Sequence, residues 1–130
     1  ILTDPIEIEK YYINTKYALT CSGTASLEII KRRIPQLIIY KFNIITEILV
    51  KSFINVKFAN LLNIIENKIV IPELVNSKLN KSSFKNAFNK ILLNEDFNKI
   101  QIKNINLLIH KLESDLPPYE KAAFRILKNI

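Results

Sequence analysis

The amino-acid sequence predicts an α/β fold: a partial parallel sheet with helical crossovers, followed by carboxy-terminal helices. Two observations carry that expectation. Short apolar, β-rich runs at Tyr17-Ala18-Leu19-Thr20-Cys21 and Gln36-Leu37-Ile38-Ile39-Tyr40 alternate with stretches of helical composition, and strand–helix alternation is the pattern of a parallel sheet. From about residue 81 onward the chain is polar and helical in its spacing, with no further strand signal.

The elements follow in order. Ile1-Leu2-Thr3 reads as the tail of a strand, and Asp4-Pro5 opens a helix to about Asn14, with Asp4 as its N-cap. The run 17–21 reads as a buried strand and breaks at Ser22-Gly23, the only glycine in the chain. Residues 24–33 are expected as a helix ending before Pro35, and 36–40 as the next strand. Between 43 and 55, Ile44, Ile45, Ile48, Leu49 and Phe53 fall on one helical face. Core packing is the favoured use of that face; lying on a membrane surface, with Lys51 and Lys57 nearby, is the rival. Residues 58–65 read as a mostly apolar connection with room for a short strand. Val70-Ile71-Pro72-Glu73-Leu74 leads into a further segment, with Pro72 at a helix start. Helices are expected over 81–93, 96–112 and 118–129, the last set off by Pro117-Pro118. No internal repeat or linker divides the chain, so 1–130 reads as a single partial domain with a helical tail from about residue 81.

Composition narrows the function classes. A hydrophobic fraction of 48% excludes a disordered chain. The net charge of +7 invites a nucleic-acid or membrane partner. However, the lysines are scattered, as AT-rich codon usage would leave them, and Lys31-Arg32-Arg33 is the one tight basic cluster, best read as a solvated helix end. Nucleic acid is therefore not an expected partner. A single cysteine, Cys21, excludes an intrachain disulfide, suits a reducing compartment and reads as a small buried residue. Lys41 and Glu47 interrupt the best apolar stretch before it reaches the roughly 18 residues of a membrane span. His110, the one histidine, has no neighbouring cysteine or aspartate to make a catalytic or metal site. The chain contains no methionine and opens directly on Ile1, for which an excised or truncated piece is the simplest expectation.

The segment with chemical content is Cys21-Ser22-Gly23-Thr24-Ala25-Ser26-Leu27-Glu28. A strand ends, one glycine allows a tight turn, and a helix begins at once. Amides at such a start lack intrahelical partners, and the helix dipole favours an anion there. Gly23 lets phosphate oxygens approach without a Cβ in the way, and Ser22 and Thr24 add hydroxyls. Glu28, four residues after Thr24 on the same face, is badly placed for phosphate and well placed for ribose hydroxyls. Taken alone, Ser-Gly-Thr is equally an ordinary capping arrangement and Glu28 an ordinary surface residue.

Ser22-Gly23-Thr24-Ala25-x-Leu27-Glu28 resembles the Ser-Gly-Thr-Ala-x-Leu-Glu signature of lipid-A-disaccharide synthases, glycosyltransferases of two Rossmann-like domains in the GT-B architecture. Pro35 and the strand to Tyr40-Lys41 are similar to that family's next element. Phe58-Ala59-Asn60-Leu61-Leu62-Asn63 resembles its Tyr-x-Ser-Leu-Pro-Asn. Residues 64–74 then match Leu-Leu-Ala-Gly-Arg-x-Val-Val-Pro-Glu-Leu without a gap, and Asn76 stands where the family has Gln. Pro118 with Ala122-Ala123 is similar to the family's Pro-x-x-x-Ala-Ala ending. The likeness is strongest over residues 18–76. Two departures stand out: Leu62 replaces a proline, and Asn67 replaces a glycine, a mild change because asparagine tolerates left-handed backbone angles.

The resemblance implies the later half of a GT-B nucleotide-binding domain. The implied reaction transfers 2,3-diacylglucosamine from its UDP donor to 2,3-diacylglucosamine 1-phosphate, with no metal and no cofactor beyond the UDP-sugar substrate. Ser22, Gly23 and Thr24 would contact the diphosphate and Glu28 the ribose. Asn63, the catalytic candidate, matches an asparagine needed for activity through the donor site; Glu73, grouped with the binding residues, and Asn76 match a recurrent glutamate and glutamine whose role the resemblance leaves open. Implied partners are the UDP-diacylglucosamine donor, a lipid acceptor, the cytoplasmic face of the inner membrane of a Gram-negative bacterium and, since the family can form one, a homodimer. The chain alone is expected to lack the acceptor site and general base, and to be inactive. Two alternatives stay open: another UDP-sugar enzyme such as a nucleotide-sugar 2-epimerase, against which the 58–74 segment argues, and a basic RNA- or membrane-binding α/β module.

Overall fold

The computed structural model describes residues 4–41, 43, 57–111, 120, 126 and 127. The strand remnant expected at 1–3, all but a few positions of the helices expected over 43–55 and 118–129, and the Pro117-Pro118 break lie outside the described residues.

Helix α1 spans Pro5–Asn14; the Asp4 side chain accepts from the Ile6 N–H at 2.8 Å, and proline at the first helical position loses no useful donor. Strand β1 is Ala18–Thr20, helix α2 is Thr24–Lys31 and strand β2 is Gln36–Tyr40. Helix α3 is Leu61–Glu66 and strand β3 is Glu73–Val75, followed by a 3₁₀ turn at Asn76–Lys78. Helices α4, Lys81–Leu93, and α5, Glu95–Leu108, complete the order, with a second 3₁₀ turn at Ile109–Lys111. The result is the α/β fold with a parallel sheet and carboxy-terminal helices that the sequence predicts.

Among the described residues the sheet has the order β1-β2-β3, parallel throughout. Thr20, Ile38 and Glu73 stand in register across it. β2 is central, so its residues read as a continuous apolar run, with Leu37 and Ile38 fully buried. Among the described residues β1 has only β2 beside it. That corrects the expectation of a buried strand at 17–21: Leu19 is 44% exposed, and Cys21, expected to be buried, is exposed just beyond the strand's carboxyl end.

Two further expectations are corrected. Residues 58–65 hold helix α3 rather than a strand: Asn60 caps it by accepting from the Leu62 N–H at 3.0 Å, and Asn67 closes it at φ 51°. Pro72 does not start a helix. It immediately precedes β3, and its carbonyl accepts from the Ile38 N–H at 3.0 Å, so a residue with no donor joins the sheet through its acceptor.

The core is a cluster of Ile30 from α2, Ile38 from β2, Leu62 from α3, Val70 and Ile71 before β3, and Ile105 from α5. Helix α5 is also pinned to the sheet by hydrogen bonds. The Gln36 N–H donates to Gln101 Oε1 at 2.7 Å, and Gln101 Nε2 donates to the Gln36 carbonyl at 3.1 Å. Gln36 and Gln101 are both buried, and the Gln101 amide satisfies backbone groups that would otherwise be stranded at the start of the central strand.

Candidate functional site

The turn from Cys21 to Gly23 lies at the carboxyl end of β1, where ligands of parallel α/β sheets bind. Gly23 has φ 127° and ψ −156°, a region that only glycine occupies without strain. A Cβ built there would meet nothing within 4 Å. The constraint is therefore the backbone angle, and the space before the turn is open.

Side chains cap four of the five described α-helices: Asp4, Asn60, Asn80 and Asn94 each accept a bond from the first turn of their own helix. Helix α2 has Gly23 at its N-cap and no side-chain cap. Its first-turn amides and the positive end of its dipole remain available to an anion. Thr24 and Ala25 are exposed at that start.

Ser22 is placed differently from the other donors expected here. Its hydroxyl donates to the carbonyl of Ala59 at 2.5 Å, tying the turn to the residue before the α3 cap. The hydrogen is thus committed to the protein while the oxygen keeps lone pairs. Glu28, exposed one turn into α2, accepts from the Tyr12 hydroxyl at 3.3 Å. The Tyr12 ring sits 4.1 Å from the Arg32 guanidinium, which pairs with Glu9 at 2.6 Å and donates to the Glu28 carbonyl at 3.3 Å. The hydrogen bond that Arg32 donates to Glu9 holds its pKa above the ordinary value, so this arginine keeps its charge and clasps α1 to α2.

Asn63 is fully buried, and all four hydrogen-bonding positions of its amide are used. Oδ1 accepts from the N–H groups of Val70 at 2.8 Å and Ile71 at 2.9 Å. Nδ2 donates to the Ile71 carbonyl at 2.7 Å and to Glu73 Oε2 at 3.1 Å. The Glu73 carboxylate also accepts from the backbone N–H of Ala59 at 3.0 Å and of Asn60 at 2.9 Å. Asn76 lies in left-handed backbone, φ 49°, opening the 3₁₀ turn after β3.

The structure therefore joins Ser22 with the 59–63 segment, and Asn63 directly with Glu73, whereas the Glu28 side chain is tied to α1. Sequence reasoning missed Asn60, whose Nδ2 donates to the buried Ser26 hydroxyl at 2.8 Å. An asparagine followed by Leu61-Leu62 is an N-cap signal that could have found it. It also missed Gln36, which accepts from the Thr20 hydroxyl at 2.7 Å and donates to the Ser26 carbonyl at 3.1 Å, fixing the end of β1 against α2. Leu62, where the resembled family has proline, supplies the N–H that Asn60 takes and fills the core besides.

Among the described residues, no group of three His, Cys, Asp or Glu side chains could hold a metal ion, and no helix is long and apolar enough to cross a membrane. An open cleft of about 530 Å³ beside Pro35, Ile102 and Leu107 shares no lining residue with the 22–28 segment.

Comparison with known proteins agrees with the motif order. A family model described as lipid-A-disaccharide synthetase matches residues 3–125. The lipid-A-disaccharide synthase of Rickettsia prowazekii is 32% identical over 121 residues, covering 92% of this chain and 32% of the relative. That of Rhodospirillum centenum is 30% identical over 114 residues, covering 87% of this chain and 28% of the relative. That of Rickettsia bellii is 31% identical over 103 residues, covering 79% and 27%. The chain spans about a third of the length of these curated relatives. With the match running through the Gly23 turn, the Asn60-capped helix and Glu73, the chain belongs to the lipid-A-disaccharide synthetase family.

Proposed function

We propose that this chain forms the donor-binding part of a glycosyltransferase of lipid A biosynthesis. The observation that carries the reading is the start of α2: glycine-led, open, free of any side-chain cap, and followed one turn later by an exposed carboxylate, in a chain of this family. The amides around Gly23 and Thr24 bind the diphosphate of UDP-2,3-diacylglucosamine, with the Ser22 oxygen at the rim, and Glu28 accepts hydrogen bonds from the ribose hydroxyls. The clasp from Tyr12 presents that carboxylate in one orientation. Asn63 and Glu73 support that turn through the Ala59–Asn60 segment, which Glu73 holds and to which Ser22 is bonded.

In the reaction, a hydroxyl of 2,3-diacylglucosamine 1-phosphate attacks the anomeric carbon of the donor. The new glycosidic C–O bond forms as the bond from that carbon to the diphosphate oxygen breaks. UDP departs with the electron pair, and the hydroxyl proton passes to a base. The part played by this site is electrostatic: negative charge grows on the departing diphosphate, and amides fixed by the start of α2 stabilise it without having to reorganise. The lipid acceptor places the work at the cytoplasmic face of the inner membrane, with the protein held peripherally.

The test is UDP titration by calorimetry into the full chain and its Glu28→Ala variant. Loss of the ribose contacts is expected to weaken binding about tenfold, the worth of a charge-assisted hydrogen bond. Equal affinity for the two proteins removes the ribose assignment. Tight, strongly salt-dependent RNA binding without affinity for UDP would replace the whole reading with a nucleic-acid module.

A further inference from the structure

Ala59 and Asn60 form a two-residue strap across the start of α2. The Ala59 carbonyl takes the Ser22 hydroxyl, immediately before Gly23, at 2.5 Å. The Asn60 amide donates to Ser26 Oγ, three residues after Gly23, at 2.8 Å, with both groups buried. The strap thus grips the turn on both sides of its glycine. The backbone N–H groups of the same two residues donate to one carboxylate: Ala59 at 3.0 Å and Asn60 at 2.9 Å from Glu73. Asn63 Nδ2 donates to the same carboxylate at 3.1 Å, and its Oδ1 holds the Val70 and Ile71 amides that lead into β3.

From this geometry we infer that Glu73 is a positioning residue for the nucleoside diphosphate site: it acts without touching the ligand, by fixing Ser22-Gly23-Thr24 through the Ala59–Asn60 strap. This rests on the donor-site reading above and deepens it. A carboxylate suits the post because every one of these partners is an N–H donor and an ionised carboxylate is acceptor only. Glutamine has the same shape but turns an NH₂ group towards those donors. Because the strap reaches the turn by side-chain and carbonyl contacts rather than by chain continuity, small rotations of Glu73 become displacements of the turn. Preorganisation of that kind is felt in ligand affinity as well as in stability.

The experiment is a double-mutant cycle on the full chain with UDP as the probe: wild type, Glu73→Gln, Ser22→Ala and the pair. Each protein is titrated well below its own melting transition, and amide hydrogen exchange is followed at Gly23, Ala59 and Asn60. Glu73→Gln is expected to weaken UDP binding about tenfold and to speed exchange at all three amides. The paired variant is expected to lose less than the product of the single losses, because Ser22→Ala has already cut one of the two grips. Wild-type affinity in Glu73→Gln with exchange raised at 59 and 60 overturns the inference. Fully multiplicative losses overturn it too, since they would make Glu73 an independent ligand contact. Should the glutamine variant fail to fold, Glu73→Asp keeps the acceptors but shortens their reach. Unchanged UDP affinity in that variant, with faster exchange at 59 and 60, is equally fatal. Absence of UDP binding by the wild type removes the donor-site reading alone. Exchange at Gly23 in the variants then decides whether Glu73 orders the turn, and an unchanged rate there overturns the positioning role.

Discussion

Gly23 and Asn67 both depart from right-handed backbone, and the difference between them separates two kinds of requirement. Asn67, at φ 51° and ψ 30°, closes α3 in the left-handed region that asparagine tolerates best among residues with a Cβ, so its replacement of a family glycine is mild, as expected. Gly23, at φ 127° and ψ −156°, occupies a region closed to any side chain, although a Cβ there would touch nothing. Gly23→Ala is therefore expected to cost about 1–3 kcal/mol through backbone strain alone, read as a lowered urea midpoint with an unchanged slope. An alanine variant as stable as wild type would show that the turn relaxes freely. The importance of Gly23 is legible in the sequence because it is the chain's only glycine and stands where an apolar run stops. The burial of Asn63 is not legible in the same way. An asparagine between Leu62 and Ile64 does not reveal that its four hydrogen bonds go to three residues seven to ten positions further on, Val70, Ile71 and Glu73.

At the scale of elements, legibility follows the strength of local punctuation. Helix α4 has the predicted bounds, with Asn80 and Ser83 forming a reciprocal capping box before it and Asn94 ending it. β2 likewise lies where a short β-branched run after a proline puts it. α3 is misread because Leu61, Leu62, Ile64 and Ile65 form a short apolar run whose period does not distinguish a strand from one and a half turns of helix. Its cap settles the matter, and that cap does more than most. Asn94 gives α5 one exposed bond, to the Phe97 N–H at 2.8 Å, so Asn94→Ala is expected to cost about 1 kcal/mol. Asn60 caps α3 and also satisfies the buried Ser26 hydroxyl. Asn60→Ala adds a stranded buried oxygen to the lost cap and is expected to cost about 2–4 kcal/mol. Urea unfolding of the two variants side by side checks the order; equal losses would mean that Ser26 finds another partner.

Across the whole molecule, the helical layer and the sheet are joined by contacts that no local pattern announces. Ile105 of α5 reaches the cluster around Ile38 and Leu62, and Gln101 meets Gln36 across 65 residues of chain. Polar residues on a core-facing stripe look like interruptions of the helix pattern until their partners are known. Here the Gln101 amide completes the backbone of β2: without it, the N–H and carbonyl of Gln36 stay buried without that partner. Gln101→Leu keeps the volume and loses both bonds, and about 2–4 kcal/mol of stability is expected to go with them. Gln101→Glu separates the two bonds. An ionised carboxylate at this site, where the native side chain is 2% exposed, still accepts from the Gln36 N–H but has nothing to donate to the Gln36 carbonyl, and it brings a buried charge. Desolvation raises the new carboxyl's pKa in the folded state above its unfolded value, so the folded form binds the extra proton more tightly. The variant's stability relative to wild type is then fullest below the unfolded carboxyl pKa and falls as pH rises through the folded one. Urea unfolding of both proteins at pH 4 and pH 8 reads this directly. A glutamate variant whose deficit is the same at the two pH values would mean that water reaches the Gln36–Gln101 pair and that the helical layer is not sealed onto the central strand.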